Sequence, residues 1–245
     1  MQNDNLPNTD SLEYSASSVK KVTFNTSTTN DYLTNEAYKT LRTNVFFCGK
    51  SIKTIVVTSS NENEGKSTIA TELAKSFADA DKKALLIDCD MRKSVMLKNN
   101  MRSKDIQGIS EVLSGLADIN DVLYKTQNEN FDVIFSGHFP PNPVELIENG
   151  KFKDMLESLS GNYDYILIDS PPLGMVIDAA VIASCCDGAI IVVSNHKISR
   201  KAVLNVRNQL EKSGCKILGV VLNETDKKIS KYYRKYYGNK YYTSQ

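Results

Sequence analysis

A short loop between an apolar run and a helical pattern carries the residues best suited to chemistry. The apolar run at residues 54–58 predicts a buried strand, and residues 69–78 recur at helical spacing. Between them stands Glu64-Gly65-Lys66-Ser67. This context is typical of a P-loop, in which backbone N–H groups and a helix N-terminus bind a polyphosphate. Lys66 would then reach the β- and γ-phosphates, and the Ser67 hydroxyl would bind Mg²⁺.

The loop departs from the P-loop pattern at its start, where Ser60 replaces the first glycine. Asn63 occupies a position that often needs a flexible residue, and asparagine tolerates a positive φ better than most residues. We therefore expect the loop to bind nucleotide without the first glycine. Its predicted nucleotide-binding residues are Ser60, Asn61, Asn63, Glu64, Gly65, Lys66, Ser67 and Thr68.

Acidic residues follow two further apolar runs. Asp88 and Asp90 come at the end of one run, and Asp169 ends another. Phosphoryl transfer needs a metal, charge compensation and a positioned acceptor. Asp169 is predicted to bind Mg²⁺ across from the P-loop. We expect only one acid of the first pair to face the phosphates easily, namely Asp88 as metal ligand or base, with Asp90 supporting it or contacting the acceptor.

The structural alternative for these acids is a turn or a helix cap, which is the commoner role of a single acid after a strand. Three acids at two strand ends, together with Lys66, favour catalysis instead. The predicted catalytic residues are Lys66, Asp88 and Asp90, and the predicted metal ligands are Ser67, Asp88 and Asp169.

Apolar runs alternate with helical patterns along most of the chain. Nearly continuous apolar strands that alternate with helices predict a parallel sheet covered on both faces. We expect an α/β, doubly wound, mostly parallel fold over residues 31–226, with a mobile extension at 1–30 and a flexible tail at 227–245. The strands are predicted at residues 54–58, 83–88, 131–135, 163–169, 188–193 and 216–222. The helices include 34–48 and a single helix over 144–160.

Composition excludes several classes of protein. The chain has 245 residues, 41% hydrophobic and 24% charged, which suits one α/β domain with extensions. A net charge of +1 gives no case for a nucleic-acid partner. The five cysteines lack metal-ligand spacing, which indicates a reduced, cytoplasmic protein. Neither a signal peptide nor the ~20 consecutive apolar residues of a membrane span is found, so membrane recruitment would need a partner.

The C-terminus has an unusual composition. Six of the chain's 12 tyrosines lie in its last 14 residues, among lysines and an arginine, and no acidic residue follows Asp226. These tyrosines are Tyr232, Tyr233, Tyr236, Tyr237, Tyr241 and Tyr242. Taken alone, the pattern is equally compatible with a phosphorylation tail and with a surface for single-stranded nucleic acid or anionic lipid.

Three motifs together resemble the bacterial tyrosine kinases. The P-loop, Leu-Leu-Ile-Asp-x-Asp-x-Arg at residues 85–92 and Ile-Leu-Ile-Asp-x-Pro-Pro at 166–172 are similar to that family's Walker A, A′ and B motifs. Similarity extends from about Asn35 to the tail and includes Pro140-Pro141-Asn142-Pro143. The A′ motif with Asp88, Asp90 and Arg92 distinguishes this group from most P-loop proteins, and the tyrosine-rich tail narrows the resemblance further. Within the family the chain is similar to kinases that regulate capsule and exopolysaccharide synthesis through a separate membrane activator.

The resemblance implies roles for individual residues. It implies Mg²⁺ and ATP as cofactors, Asp88 as the acid that activates the tyrosine hydroxyl, and the six tail tyrosines as phosphorylation sites. Asn223 resembles a position that contacts adenine. Glu36, Lys39 and Arg42 match a helix motif that packs subunits into a ring, where the family has arginine at position 39. The family's loop commonly reads Pro-Gly-Glu-Gly-Lys-Ser, against Glu62-Asn63-Glu64-Gly65-Lys66-Ser67 here.

The resemblance also implies partners, while the sheet and Walker motifs are shared with proteins of a rival function. The partners are a membrane adaptor with a cytoplasmic tail, further copies of the chain in a homo-oligomer, and a tyrosine phosphatase that resets the tail. The alternative function is a MinD- or ParA-like ATPase that acts as an assembly switch. Such ATPases usually carry a second lysine where this chain has Asn61, and they lack a tyrosine cluster. A nucleotide-binding module without transfer activity is a third hypothesis.

Overall fold

The core of the fold is one twisted sheet whose strands are formed by the apolar runs of the sequence. The computed structural model describes residues 20–23, 32–96, 106–195 and 198–224. Within them the sheet has seven strands in the order β3-β4-β2-β5-β1-β6-β7. Its strands are β1 (Thr54–Ser59), β2 (Ala84–Asp88), β3 (Leu123–Lys125), β4 (Phe131–Ile134), β5 (Tyr165–Asp169), β6 (Gly188–Ser194) and β7 (Ile217–Asn223).

Every neighbouring pair of strands is parallel except β3 and β4. The carboxyl ends of the parallel strands therefore meet at one edge of the sheet, which is where such folds bind ligands. Register places Asp88 at the end of β2 directly opposite Asp169 at the end of β5. We call this edge the catalytic edge below. The α/β, mostly parallel fold predicted from the sequence is confirmed.

Helices cover both faces of the sheet because side chains alternate across each strand. On one face, α1 (Tyr32–Phe47) packs on α2 (Lys66–Ala78), whose Leu73 and Phe77 are fully buried against the strands. The other face carries α3 (Ile109–Ser114), α4 (Pro143–Glu148), α5 (Lys151–Ser160), α6 (Asp178–Ser184) and α7 (Arg200–Lys212). Among the described residues, none of the helices has the length and apolar character that a bilayer-spanning helix needs.

Two sequence predictions about the elements are wrong. The single helix predicted over 144–160 is divided into α4 and α5, because Gly150 adopts a left-handed conformation with φ of +84°. The sequence also predicted six strands and missed β3, an edge strand of three residues in which only Tyr124 is buried. Such a short segment leaves no periodic signal.

The predicted N-terminal extension is only partly described. Its mobility stays a prediction for residues 1–19 and 24–30, which lie outside the described residues. Residues 20–23, by contrast, lie along β3. The N–H of Val22 donates to the Lys125 carbonyl at 2.9 Å, and the N–H of Lys125 donates to the Lys20 carbonyl at 2.9 Å. Val22 is buried there, so this segment covers the exposed edge of β3.

Candidate active site

The P-loop connects β1 to α2 through two residues in the left-handed conformation. Asn63 has φ of 58° and Gly65, at the start of α2, has φ of 87°. Such residues turn successive N–H groups towards one side, where they form a concave site for an anion. The tolerance of Asn63 for a positive φ is therefore used. A Cβ on Gly174 would lie 2.1 Å from the Ser60 carbonyl oxygen. Because glycine has no Cβ, the loop after β5 can approach the P-loop closely at this point.

Glu64 stabilises the P-loop from inside. Its side chain is buried and accepts hydrogen bonds from the N–H of Asn61 at 2.5 Å and the N–H of Ser194 at 3.1 Å. The loop is thereby bonded to the end of β6. Since both carboxylate oxygens are engaged in this way, the side chain of Glu64 is a structural support, and only its backbone is available to bind phosphate.

Asn223, at the end of β7, also contacts the P-loop. Its Nδ2 donates to the Glu64 carbonyl at 3.0 Å, and a Cβ on Gly65 would lie 2.0 Å from that nitrogen. The resemblance implied a contact with adenine, which stays a prediction. The structure assigns Asn223 a role that the sequence did not indicate, because the strand order that brings β7 near the loop depends on the tertiary fold.

We expect Asn223→Ala to weaken ATP binding about fivefold, the effect of one lost hydrogen bond of ordinary strength. Titration with ATP and with inorganic tripolyphosphate separates the two roles. Loss of P-loop support weakens both ligands by the same factor, whereas loss of an adenine contact alone weakens only ATP. Asn149→Ala, between α4 and α5, is the control and leaves both affinities unchanged. Unchanged tripolyphosphate binding in Asn223→Ala would contradict the supporting role.

Asp88 and Asp169 form a buried pair of carboxylates at the catalytic edge. Both are almost completely inaccessible to solvent, and they are opposite each other in register. Burial, followed by the charge of Asp169, raises the pKa of Asp88 well above its ordinary value. Burial also raises the pKa of Asp169, although Lys66 and a hydrogen bond from Ser67 oppose the shift. Two carboxylates held this way favour a proton or a metal ion between them.

Asp90 lies closer to the P-loop lysine than the sequence predicted. Its Oδ2 is 3.6 Å from Lys66 Nζ, and both side chains are about nine-tenths buried. Strand β2 ends at Asp88, whose Oδ1 accepts the Asp90 N–H at 3.0 Å and turns the chain back. The strand geometry on which the choice of Asp88 rested does not continue beyond Asp88, and which of the two acids faces the phosphates stays a prediction. Lys66 and three carboxylates share one cleft.

The donor set fits a magnesium ion that is completed by phosphate and water. No group of three or more His, Cys, Asp or Glu side chains in the described ranges is arranged to bind a metal alone. Mg²⁺ is commonly held by one or two carboxylates together with substrate phosphates and waters. Asp169 Oδ1 is buried without a hydrogen-bond partner, which leaves it a lone pair for such a ligand. Ser67, Asp88 and Asp169 are the residues that would hold the ion.

Comparison with known proteins assigns the chain to a family. The family model described as an AAA domain matches residues 52–217. Tyrosine-protein kinase CpsD of Streptococcus agalactiae is 43% identical over 199 residues, covering 81% of this chain and 87% of that protein. CpsD of Streptococcus pneumoniae serotype 4 is 44% identical over 197 residues, covering 80% of this chain and 87% of that protein. The chain belongs to the bacterial tyrosine kinases.

Solved structures of related kinases support the same family. The chimerical protein CapA2B2 aligns with a TM-score of 0.73 and 34% identity, covering 78% of this chain and 84% of that one. The kinase domain of Escherichia coli tyrosine kinase ETK aligns with a TM-score of 0.73 and 30% identity, covering 78% and 77%. The septum site-determining protein MinD of Pyrococcus horikoshii, complexed with Mg-ADP, aligns with a TM-score of 0.60 and 26% identity, covering 72% of each chain.

The turn after Asp90 is held by a second ion pair that the predicted site of the kinase did not include. Arg92 makes a bidentate contact with Asp178, Nε to Oδ2 at 2.8 Å and Nη2 to Oδ1 at 3.0 Å. Asp178 is buried at the start of α6. Asp90 Oδ1 accepts the N–H groups of Arg92 and Lys93, so the pair fixes the backbone that orients Asp90. Arg92 and Asp178 are 86 residues apart, and nothing in the sequence pairs them.

We expect Arg92→Ala to destabilise the kinase by about 2 kcal/mol, because it leaves the buried Asp178 carboxylate without its charge partner. The value lies below the range for fully buried pairs because the Arg92 side chain is 43% exposed. Chemical denaturation measures the change. Arg207→Ala is the matched control, since Arg207 pairs with Glu211 on the solvent face of α7 at 2.8 Å and should cost less than about 0.5 kcal/mol. Equal losses in the two variants would contradict the prediction.

The predicted interface residues of α1 have different environments. Lys39 Nζ pairs with Glu36 Oε1 at 2.7 Å on the exposed face of the helix. Arg42, by contrast, points inward and donates to the carbonyl and the hydroxyl of Ser76 on α2. Arg42 therefore holds α1 against the P-loop helix within one chain. The role of Glu36, Lys39 and Arg42 in a ring stays a prediction.

The tail tyrosines lie outside the described residues, and their phosphorylation stays a prediction. They are Tyr232, Tyr233, Tyr236, Tyr237, Tyr241 and Tyr242. The described part of the chain ends close to the P-loop. Strand β7 ends at Asn223, whose side chain donates to the Glu64 carbonyl. The last described residues therefore lie at the catalytic edge.

Proposed function

We propose that this protein is a protein-tyrosine kinase that transfers the γ-phosphate of ATP to tyrosines, mainly those of its own C-terminal cluster. The observation that carries the proposal is the shared cleft of Lys66 with Asp88, Asp90 and Asp169, built on a P-loop. A phosphate cradle alone would serve any nucleotide-binding protein. The additional acids beside it provide for a metal ion and for an acceptor hydroxyl.

Each residue of the cleft has a separate role in the proposed phosphoryl transfer. The Lys66 ammonium lies 3.6 Å from Asp90. When ATP is bound, this ammonium would offset the negative charge of the γ-phosphate. Tyrosine has an ordinary pKa of about 10, so its hydroxyl needs a base near neutral pH. Asp88, at the end of β2 beside Asp169, is the carboxylate that would take that proton as the oxygen–phosphorus bond forms. Mg²⁺ held by Ser67, Asp88 and Asp169 would supply charge neutralisation on the β- and γ-phosphates.

The tail explains why transfer would act as a switch. Each phosphate adds about −1.5 to −2 charges at neutral pH, and the segment after Asp226 carries six lysines and arginines. Several phosphorylations would therefore convert a basic segment to an acidic one. In the proposed cycle, a tail reaches a neighbouring copy of the kinase in a homo-oligomer, and its charge inversion changes the assembly. A membrane adaptor recruits the kinase to the inner membrane face, a phosphatase resets the tail, and the output regulates capsule or exopolysaccharide synthesis.

Incubation of the pure full chain with Mg-ATP, followed by mass spectrometric mapping of phosphate, tests the proposal. Phosphotyrosine in the tail supports the kinase. Hydrolysis of ATP without protein phosphorylation would support the MinD-like ATPase, whose fold this chain shares. Nucleotide binding without either reaction would support a binding module. Oligomer size before and after phosphorylation tests the switch, and equal sizes would refute it.

A further inference from the structure

Outside the tail, Tyr32 is the described tyrosine whose phenol group is most accessible. It opens α1 and is 61% exposed. The other described tyrosines are Tyr38, Tyr124, Tyr163 and Tyr165, and each is half-buried or buried. The Tyr163 hydroxyl donates to the buried Asp132 at 2.6 Å, and the Tyr165 ring stacks on Phe77 at 3.9 Å. Among these five, only Tyr32 can enter another protein's cleft without local unfolding.

The packing of α1 on α2 indicates the end of the domain at which Tyr32 lies. Arg42 donates to Ser76, Tyr38 lies within electrostatic range of Glu72, and Phe46 contacts Phe77 with ring centroids 5.6 Å apart. Positions further along α1 therefore meet positions further along α2, so the two helices run in broadly the same direction. Because α2 begins at Lys66, α1 begins on the same side of the domain as the P-loop, and Tyr32 is its first residue.

We propose that Tyr32 is a second phosphoacceptor of this kinase, modified by the cleft of another copy of the chain. The inference rests on the proposed tyrosine-kinase function and extends it to a site outside the tail. In the step, the Tyr32 phenol oxygen bonds to the γ-phosphorus, and the bond from that phosphorus to the bridging oxygen breaks. ADP leaves with the bridging oxygen, and Asp88 of the acting copy takes the phenolic proton.

Phosphate at Tyr32 would change the charge of one face of α1. Glu36 and Lys39 follow Tyr32 by four and seven residues, so the three side chains lie on the same side of the helix. Glu36 and Lys39 are now paired at 2.7 Å. A group carrying about two negative charges would repel Glu36 and compete for Lys39. Because these two residues are the predicted interface residues on the exposed face, modification of Tyr32 connects the kinase reaction to assembly independently of the tail.

The test uses a full chain in which the tail tyrosines are replaced by phenylalanine at positions 232, 233, 236, 237, 241 and 242. After incubation with Mg-ATP, we expect phosphate at Tyr32 at least about tenfold above the background of the same chain with Lys66→Met. Trypsin should release residues 22–39 as one peptide, and fragment ions separate Tyr32 from Tyr38 within it. Tyr38 is the internal control, because its phenol packs against α2, and should carry no phosphate.

A mixture of isotopically labelled Lys66→Met chain with unlabelled active chain tests transfer between copies, which should place phosphate on Tyr32 of the labelled chain. Tyr32→Phe should remove this phosphopeptide and leave tail phosphorylation within about twofold of the unmodified level. An unmodified Tyr32 in a preparation whose wild-type tail is phosphorylated would overturn the inference alone. A preparation in which neither Tyr32 nor the wild-type tail gains phosphate would overturn the proposed function as well.

Discussion

Replacement of Lys66 by methionine is expected to abolish tyrosine phosphorylation while the fold remains intact. The Lys66 ammonium lies 3.6 Å from Asp90 in a cleft that also holds Asp88 and Asp169. Without it, the γ-phosphate would approach three carboxylates with one compensating charge fewer, in surroundings that screen charge poorly. We expect the initial rate of phosphate transfer to the tail to fall by at least about 1,000-fold. Incorporation of labelled phosphate from ATP measures that rate.

Lys153→Met is the matched control for Lys66→Met. Lys153 lies on α5 with its side chain 65% exposed, and its contact with Glu157 is long at 3.9 Å. The substitution removes the same charge from the helical layer on the other face of the sheet, so transfer should be unchanged. Circular dichroism and thermal unfolding verify that both variants fold. Transfer by folded Lys66→Met at more than about a tenth of the wild-type rate would contradict the assigned role of the lysine.

The parts of the active site that follow strand ends could be predicted from the sequence. Apolar runs that alternate with helical patterns specify parallel strands, and parallel strands bring their carboxyl ends to one edge. This reasoning is sufficient to bring Asp88 and Asp169 to one edge, and the structure places Asp88 opposite Asp169, which lies within electrostatic range of Lys66. The position of Asp90 could not be derived in the same way. It depends on a local turn in which Asp88 accepts the Asp90 N–H, and strand periodicity carries no information about such a turn.

Contacts between distant segments were also missed, because a single sequence does not show which side chains meet. Glu64 accepts an N–H from Ser194, which lies 130 residues further along the chain, and Asn223 reaches the Glu64 carbonyl from an even greater separation. Arg92 and Asp178 meet only after the sheet has formed. These contacts support the residues that carry chemistry. The sequence therefore indicates the chemical groups of the site more readily than the interactions that hold them in position.

Arg42 makes a further contact that the sequence did not indicate. Its place in a helix motif implied a contact between subunits, which stays a prediction, and the structure adds a contact of its guanidinium with Ser76 within the chain. The contact joins α1 to the helix that begins at the P-loop. Assembly through the exposed face of α1 would therefore act on the nucleotide site through a direct helix contact. A sequence motif identifies a residue type and spacing, and the partner of the side chain depends on the packing.

Asp88→Asn is expected to make the metal-free protein more stable and the kinase inactive. The buried Asp88 and Asp169 carboxylates repel each other, and asparagine keeps the shape and an acceptor for the Asp90 N–H without the charge. The Ser94 hydroxyl, which donates to Asp88 Oδ2, would turn to accept a hydrogen bond from the new amide group. We expect a gain of about 2 kcal/mol in unfolding free energy at neutral pH. Loss of the base and of a metal ligand should lower tail phosphorylation at least about 100-fold. Thermal unfolding with and without Mg²⁺, and the transfer assay, measure the two effects.

The pH dependence of stability distinguishes this explanation from a general effect of removing a buried charge. Because burial raises the pKa of both carboxyl groups in the folded state, the folded protein holds more protons than the unfolded chain once the pH exceeds their ordinary values. Metal-free wild-type protein should therefore lose stability as the pH rises from about 5 to 8, and Asp88→Asn should lose less. Asp132→Asn is the control: Asp132 is equally buried but paired with Lys125 and Tyr163 at 2.6 Å, so its loss should destabilise. Destabilisation of Asp88→Asn as well as Asp132→Asn in the absence of Mg²⁺ would contradict the repulsion between Asp88 and Asp169.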